Sequence, residues 1–127
     1  MPHARSACAC GHGDGFPDLV YITTTLNVKL GNGQGGFNPI GTTVDLPGAS
    51  GLPYRVAIAD FNLDGIPDIV VARVGTNDVT VLLGDGSGKF KAQDPLRLPI
   101  VNRPSIAVAD FDGDGNPDVA VAVVVDK

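Results

Sequence analysis

The 127-residue sequence contains no glutamate and no tryptophan, and all fourteen of its acidic residues are aspartates. Glutamate is a good helix former, whereas aspartate favours turns and metal sites. The 17 glycines and 10 prolines together exceed a fifth of the chain, which further disfavours helices. The composition therefore argues against a coiled coil, a helical bundle or a transmembrane helix.

Positive charge is also scarce, with 9 lysines and arginines against 14 aspartates and a formal net charge of −5. A nucleic-acid-binding protein needs a basic patch, so that class is not expected here. The chain is nevertheless 43% hydrophobic, which is too apolar for a disordered acidic tail. This balance suggests a folded domain whose carboxylates are held in fixed places for a cation.

The only two cysteines, Cys8 and Cys10, are too few for a disulfide framework. No signal peptide is visible, because residues 1–10 lack a continuous apolar stretch. Three explanations stay open: a mature chain without its signal, a fragment of a longer chain, or export by another route.

An internal repeat organises the chain. Residues 5–22, 55–72 and 105–122 align at a constant spacing of 50 residues, and residues 30–37 match residues 83–90 at a spacing of 53. The second repeat carries three extra residues around 75–77, which accounts for the difference. We predict three units: repeat 1 at residues 1–54, repeat 2 at 55–104 and a partial repeat 3 at 105–127.

Each repeat carries strand signals separated by turns. Residues 55–60, 68–73 and 79–83 are rich in β-branched or small alternating residues, and a looser fourth strand is predicted from Phe90 toward Leu98. Pro95 and Pro99 confine that fourth strand to a sheet edge. The expected fold is all-β, with propeller-type blades of four antiparallel strands and about two and a half repeats.

Two and a half blades cannot close a propeller ring, so one chain is expected to leave strand edges open. Residues 119–125 form an apolar run with little charge to protect its edge. The expected partners of that edge are missing blades of a longer chain or other copies of this chain.

A loop rich in aspartate joins the first two strands of each unit: loop 1 (residues 10–18), loop 2 (60–68) and loop 3 (110–118). Oxygen-bearing side chains occupy positions 1, 3, 5 and 9 of loops 2 and 3, and these are Asp60, Asn62, Asp64 and Asp68, and Asp110, Asp112, Asp114 and Asp118. The backbone carbonyls of Ile66 and Asn116, at position 7, would add a ligand to each set. Glycine at position 6 permits the sharp turn, and Ca²⁺ takes six to eight oxygen ligands. We therefore predict two Ca²⁺ sites.

Other interpretations fit the residues of these loops less well. An EF-hand needs a glutamate at position 12 and flanking helices, whereas Ala72 or Ala122 stands there between β-branched residues. Mg²⁺ seldom uses an all-protein cage. Aspartate, asparagine and glycine also form tight turns without a metal, but two loops with the same oxygen positions favour the calcium interpretation.

Loop 1 departs from the pattern, because Cys10 and His12 replace oxygen ligands at positions 1 and 3 while Asp14 and Asp18 are kept. Cysteine and histidine are poor Ca²⁺ ligands. Loop 1 is either a degenerate loop that binds Ca²⁺ weakly or not at all, or a four-ligand site for Zn²⁺ or another transition metal.

Residues 56–72 and 106–122 resemble the FG-GAP/VCBS repeat family, and residues 79–90 look like that family's second motif. The resemblance covers nearly the whole chain. It implies four-stranded blades of a β-propeller, as in integrin α-chain heads, and Ca²⁺ in the loop between the first two strands. It also implies an extracellular or cell-surface location.

These observations predict a calcium-binding repeat module of an exported or cell-surface protein, with a structural or adhesive role. The alternative is a self-assembling structural protein that forms rings or filaments by inter-chain completion of blades. An enzyme is not expected, because the only histidines are His3 and His12 and the aspartates are mostly committed to the loops. A protein or glycan ligand is suggested by family analogy alone.

Overall fold

A computed structural model describes residues 5–9, 15–39, 41–48, 51–99 and 102–124. Eleven strands form three antiparallel sheets, and the described residues contain no helix. Accordingly, this part of the chain offers no helix of the length and apolarity that crossing a membrane requires. The fold is all-β, as predicted.

The sheets follow one another along the chain. Sheet 1 has the order β1 (Arg5–Ala9), β2 (Asp18–Ile22), β3 (Leu26–Lys29) and β4 (Thr42–Val44). Sheet 2 contains β5 (Leu52–Ala59), β6 (Asp68–Val74), β7 (Asp78–Gly84), β8 (Phe90–Ala92) and β9 (Leu96–Arg97). Sheet 3 contains β10 (Asn102–Ala109) and β11 (Asp118–Val124). Strands β5 and β10 begin at Leu52 and Asn102, three residues before the predicted first residues of repeats 2 and 3.

The first hairpin of every sheet has the same register. Ala9 pairs with Asp18, Ala59 with Asp68, and Ala109 with Asp118. Each aspartate at loop position 9 is therefore the first residue of a second strand. The 50-residue repeat seen in the sequence is thus a repeat of hairpin geometry.

The looser fourth strand predicted from Phe90 toward Leu98 is present in sheet 2, but it is interrupted. The structure divides it into β8 and β9, which both pair with β7 but at opposite ends of that strand. The N–H of Gln93 still donates to the carbonyl of Val81 at 2.8 Å, and the chain then leaves β7 at Asp94 and Pro95, where Pro95 has no backbone N–H to donate. The chain pairs with β7 again in the two-residue strand β9, and after it the N–H of Leu98 donates to the carbonyl of Asn77.

Sheet 2 lies between the other two sheets and is covered on both faces. Ile69, Val71 and Leu82 pack against sheet 1, and Val70 and Ala72 pack against sheet 3. Successive side chains of a strand point to opposite faces, so β6 is buried from Asp68 through Arg73. This explains its continuous apolar run, which is typical of a strand buried on both sides.

Sheet 2 also contains a fully buried ion pair. The guanidinium of Arg73 donates to both carboxylate oxygens of Asp78, at 2.7 Å each, and both side chains are 1% exposed. The two residues lie opposite each other on β6 and β7. A third donor, Nη1 of Arg73, reaches the carbonyl of Pro47 in the connection between sheets 1 and 2. Arg73 therefore links that connection to sheet 2 by a hydrogen bond.

Candidate metal centre in the aspartate loops

The backbone of the loops is wound tightly by residues in the left-handed region. Gly65 and Gly115, at position 6 of loops 2 and 3, have φ angles of 84° and 89°. Position 4 is also left-handed, as Gly113 (φ 78°) in loop 3 but as Leu63 (φ 58°) in loop 2. A side chain with a Cβ is strained there, so loop 2 is the less relaxed of the two.

We expect Leu63→Gly to stabilise the protein by about 1 kcal/mol, because it relieves the left-handed strain and removes a side chain that is 58% exposed. Urea unfolding provides the measurement. Leu63→Ala is the matched control, since it removes the same exposed atoms and keeps the Cβ. An equal gain from both variants would contradict the backbone explanation.

Loop 3 brings three carboxylates together. Asp110, Asp112 and Asp118 each offer a ligand oxygen, and these three atoms lie within 4.8 Å of one another. Among the described residues this is the only group of three or more acidic, histidine or cysteine side chains that converges in this way. Three hard oxygens at this spacing are the donors that Ca²⁺ prefers, so the residues present fit that ion.

Backbone N–H groups hold Asp110 in place. The N–H groups of Gly113, Asp114 and Gly115 donate to its carboxylate at 2.7, 3.1 and 2.8 Å. These donors, Gly115 above all, keep the pKa of Asp110 below its ordinary value. The carboxylate at position 1 is thus stabilised in the charged form that a cation requires.

Asp114, the predicted ligand at position 5, does not join the group. Its two oxygens accept hydrogen bonds from the backbone N–H and the side-chain amide of Asn116, both at 2.8 Å. The same two bonds, that of the backbone first, lower the pKa of Asp114. Asn116 therefore acts on the loop through its nitrogens, and a ligand role for its carbonyl stays a prediction.

Loop 2 has the same winding but a different arrangement of side chains. Asp60 accepts from the N–H groups of Asp64 and Gly65, at 3.1 and 2.8 Å. The amide of Asn62 donates to Asp64 at 3.0 Å, and the N–H of Ile66 donates to the same carboxylate at 2.8 Å. The carboxylates of Asp60 and Asp64 are thus bonded within the loop, and the site predicted there stays a prediction.

Asp68, at position 9 of loop 2, has a structural task that the sequence did not predict. Its carboxylate is completely buried and accepts two backbone hydrogen bonds, from Phe61 at 2.8 Å and from Gly84 at 2.9 Å. The first joins the two ends of the loop, and the second ties the start of β6 to the end of β7. Asp18 accepts the N–H of Gly31 in the same way, at 2.9 Å.

Each of these glycines is needed because the chains approach closely. A Cβ on Gly84 would fall on the carbonyl oxygen of Pro67, and one on Gly31 would fall on that of Pro17. The signal was present in the sequence as the repeated Leu-Gly of the second motif, whose glycine follows the position-9 aspartate by 13 residues in repeat 1 and by 16 in repeat 2. The bond from this glycine to the aspartate depends on the pairing of the third strand with the second, which the sequence does not show.

Most of the predicted loop 1 site lies outside the described residues. Cys10, His12 and Asp14 are not described, whereas Asp18 is buried at the start of β2. Gly15 has a φ angle of 81°, like its equivalents in the other loops. The choice between a degenerate loop and a transition-metal site therefore stays open.

Comparisons with known proteins agree with the repeat. A family described as the FG-GAP-like repeat matches the chain twice, at residues 12–71 and 60–121. No curated protein matches the chain significantly. The two family matches together span most of the sequence and include loops 2 and 3 and the sheets that carry them. On this basis the chain belongs to the FG-GAP-like repeat family.

Proposed function

We propose that this protein is a Ca²⁺-stabilised β-propeller repeat module with a structural or adhesive role in an exported or cell-surface protein. The observation that carries the proposal is the convergence of Asp110, Asp112 and Asp118 in loop 3. Three carboxylates at this spacing repel one another, and a divalent cation bound between them offsets that repulsion. Binding would therefore be coupled to the stability of the β10–β11 hairpin.

The composition of the loops favours loop 3 as the tighter of two proposed sites. Loop 3 has aspartate at positions 1, 3, 5 and 9, whereas loop 2 has Asn62 at position 3. The charge of the ligand set is one of the factors that tune Ca²⁺ affinity. Binding at loop 2 would also require the bond from Asn62 to Asp64 to open.

Family membership supports the wider setting of the proposal. FG-GAP repeats are typically structural or binding elements of extracellular proteins, where millimolar Ca²⁺ suits sites of moderate affinity. We propose a non-enzymatic role on that ground. A protein or glycan ligand, and Zn²⁺ at loop 1, stay weaker proposals without a described residue that favours them.

Calcium titration tests the proposal. With Ca²⁺ at 100 times its dissociation constant, we expect a gain of about 2.7 kcal/mol. At about 3 °C per kcal/mol for a chain of this size, this raises the melting temperature by roughly 8 °C. EDTA should reverse the shift. Calorimetric titration should give two sites, with the tighter one lost in Asp112→Asn and kept in the control Asp94→Asn, which removes a carboxylate outside the loops.

A melting temperature that is the same in Ca²⁺ and in EDTA would overturn the proposal. Equal loss of Ca²⁺ binding in Asp112→Asn and Asp94→Asn would show that Ca²⁺ responds to the net charge of the protein and does not bind at a specific site in loop 3. Titration with Mg²⁺ in place of Ca²⁺ measures selectivity, and we expect the weaker response with Mg²⁺ because it prefers to keep its own waters.

Self-association by completion of blades is the second candidate, and the outer face of sheet 3 favours it. Ala107, Ala120 and Ala122 are exposed there. Their equivalents 50 residues earlier, Ala57, Val70 and Ala72, lie on the face of sheet 2 that sheet 3 covers. Light scattering tests this candidate, and a monomer at all concentrations would eliminate it.

A further inference from the structure

The turn between β3 and β4 contains the only Asn-Gly pair of the sequence, Asn32 and Gly33. Of the other six asparagines, two precede proline and four precede a larger residue. Both residues of the pair are exposed to water. The side-chain amide of an asparagine can react with the backbone nitrogen of the next residue, and glycine hinders that approach least because it has no Cβ. The turn therefore contains a candidate site of chemical modification.

The turn holds the side chain of Asn32 in a defined place. The N–H groups of Gln34 and Gly36 donate to its Oδ1 atom at 2.9 and 3.1 Å. Negative charge develops on that oxygen when a nucleophile adds to Cγ, and donors that already point at the oxygen stabilise the charge. The N–H of Gly33 has no acceptor among the described residues. The carbonyl of Asn32 is thus polarised, and the neighbouring nitrogen is not engaged elsewhere.

The turn between β7 and β8 has an aspartate, Asp85, at the place equivalent to Asn32. Its Oδ1 atom accepts the N–H groups of Ser87 and Lys89 at 2.8 and 3.3 Å. Its own N–H donates to the carbonyl of Lys89 at 3.1 Å, as that of Asn32 does to Gly36 at 3.0 Å. An aspartate at position 32 would therefore keep the backbone bonds of the turn, and a carboxylate accepts such bonds more strongly than an amide oxygen.

We propose that Asn32 deamidates spontaneously in the folded protein and becomes an aspartate. The nitrogen of Gly33 bonds to Cγ of Asn32, the bond from Cγ to Nδ2 breaks, and Nδ2 leaves as ammonia with the proton from Gly33. Water then opens the cyclic imide, giving its hydroxyl to Cγ and its proton to the nitrogen of Gly33, which restores the backbone. This inference goes beyond the calcium proposal and does not depend on it.

The packing of Gly33 favours aspartate over isoaspartate as the product. The ring of Phe16 lies directly against Gly33, since a Cβ there would meet ring carbons at 2.6–2.9 Å. Opening of the imide at its other carbonyl gives isoaspartate, which inserts a methylene into the backbone before Gly33 and would displace it from the ring. We therefore expect mainly aspartate from the folded chain, detected by a protease that cleaves before aspartate and not before isoaspartate.

Mass spectrometry of the full chain after incubation in mildly alkaline buffer tests the proposal. Trypsin releases Asn32 in the fragment 30–55, whose mass should increase by the exchange of an amino group for a hydroxyl. The second asparagine of that fragment, Asn38, precedes Pro39, whose nitrogen has no proton to lose. We expect the reaction to be at least about tenfold faster in the folded chain than in the same chain unfolded in urea, where the two N–H donors are lost.

Two variants test the part that the turn plays. Asp85→Asn creates a second Asn-Gly pair with the same backbone donors, and it should revert to aspartate during the incubation. Asn62, which precedes Leu63, is the internal control and should keep its amide. Asn32→Asp should melt at the same temperature as the starting protein or higher, because it carries the proposed product.

An unchanged mass of the fragment 30–55 would overturn the inference. A rate in the folded chain that is no greater than the rate in urea would also overturn it, because the turn would then protect Asn32. Both results come from the unmodified chain and do not require a variant to fold. Neither result involves Ca²⁺, so they leave the calcium proposal to its own titration.

Discussion

Asp78→Ala is expected to lower the free energy of unfolding by about 3–5 kcal/mol, because it leaves the guanidinium of Arg73 buried without its counter-ion. Both donors of Arg73 that now meet Asp78 at 2.7 Å would lose their acceptor in a place that water does not reach. Arg73→Ala should cost a similar amount, because it also releases the carbonyl of Pro47. Urea or thermal unfolding measures both.

Two controls test whether the buried ion pair is the cause of this loss of stability. Arg97→Ala removes an exposed arginine that donates to the carbonyl of Thr76, and it should cost less than about 0.5 kcal/mol. The double variant Arg73→Met, Asp78→Leu should be more stable than either single variant, because an apolar pair leaves no buried charge. If the double variant loses as much as the two single variants added together, the ion pair is not the cause of the loss.

The second large effect is expected at Asp68, where alanine should cost about 3–5 kcal/mol. The substitution leaves the N–H groups of Phe61 and Gly84 without their acceptor and opens a cavity at a completely buried position. It also removes the bond that ties the start of β6 to the end of β7. The matched change Asp118→Ala removes the same group from sheet 3, where one N–H is bonded and the site is half-buried.

We expect Asp118→Ala to cost about 1 kcal/mol in EDTA, because water can reach the N–H of Phe111 that it leaves free. Measuring both variants in EDTA removes any contribution of Ca²⁺ from the comparison. Equal losses from the two variants would contradict the role assigned to the third strand. Larger loss at Asp118 than at Asp68 would contradict the assignment of the buried bonds.

Much of the fold was predictable because it repeats locally. The 50-residue spacing, the β-branched runs and the Asp-Gly turns predicted the strands on either side of loops 2 and 3, and the structure confirms antiparallel β-sheets throughout the described residues. Strand periodicity and turn chemistry depend on neighbours in sequence, which a single chain displays directly. The division of the predicted fourth strand into β8 and β9 was not predictable, because it depends on which part of β7 each piece meets.

The candidate metal site was predictable in its residues but not in its arrangement. Oxygens at alternate loop positions identified Asp110, Asp112 and Asp118, which the structure brings together. The same pattern included Asp114, which bonds to Asn116 instead. Side-chain hydrogen bonds within a short loop compete with one another at similar energies, and spacing alone does not rank them.

Asp68 and Asp118 separate what the sequence determines from what the tertiary structure determines. The sequence alone determined that both begin a second strand after a loop of one design, because the residues around them are nearly identical. Only the tertiary structure decided that Asp68 is buried with two backbone donors while Asp118 is half-buried with one. The reason is that the second donor comes from a third strand, and burial comes from the sheet that lies against it. Neither is encoded in the residues that surround the aspartate.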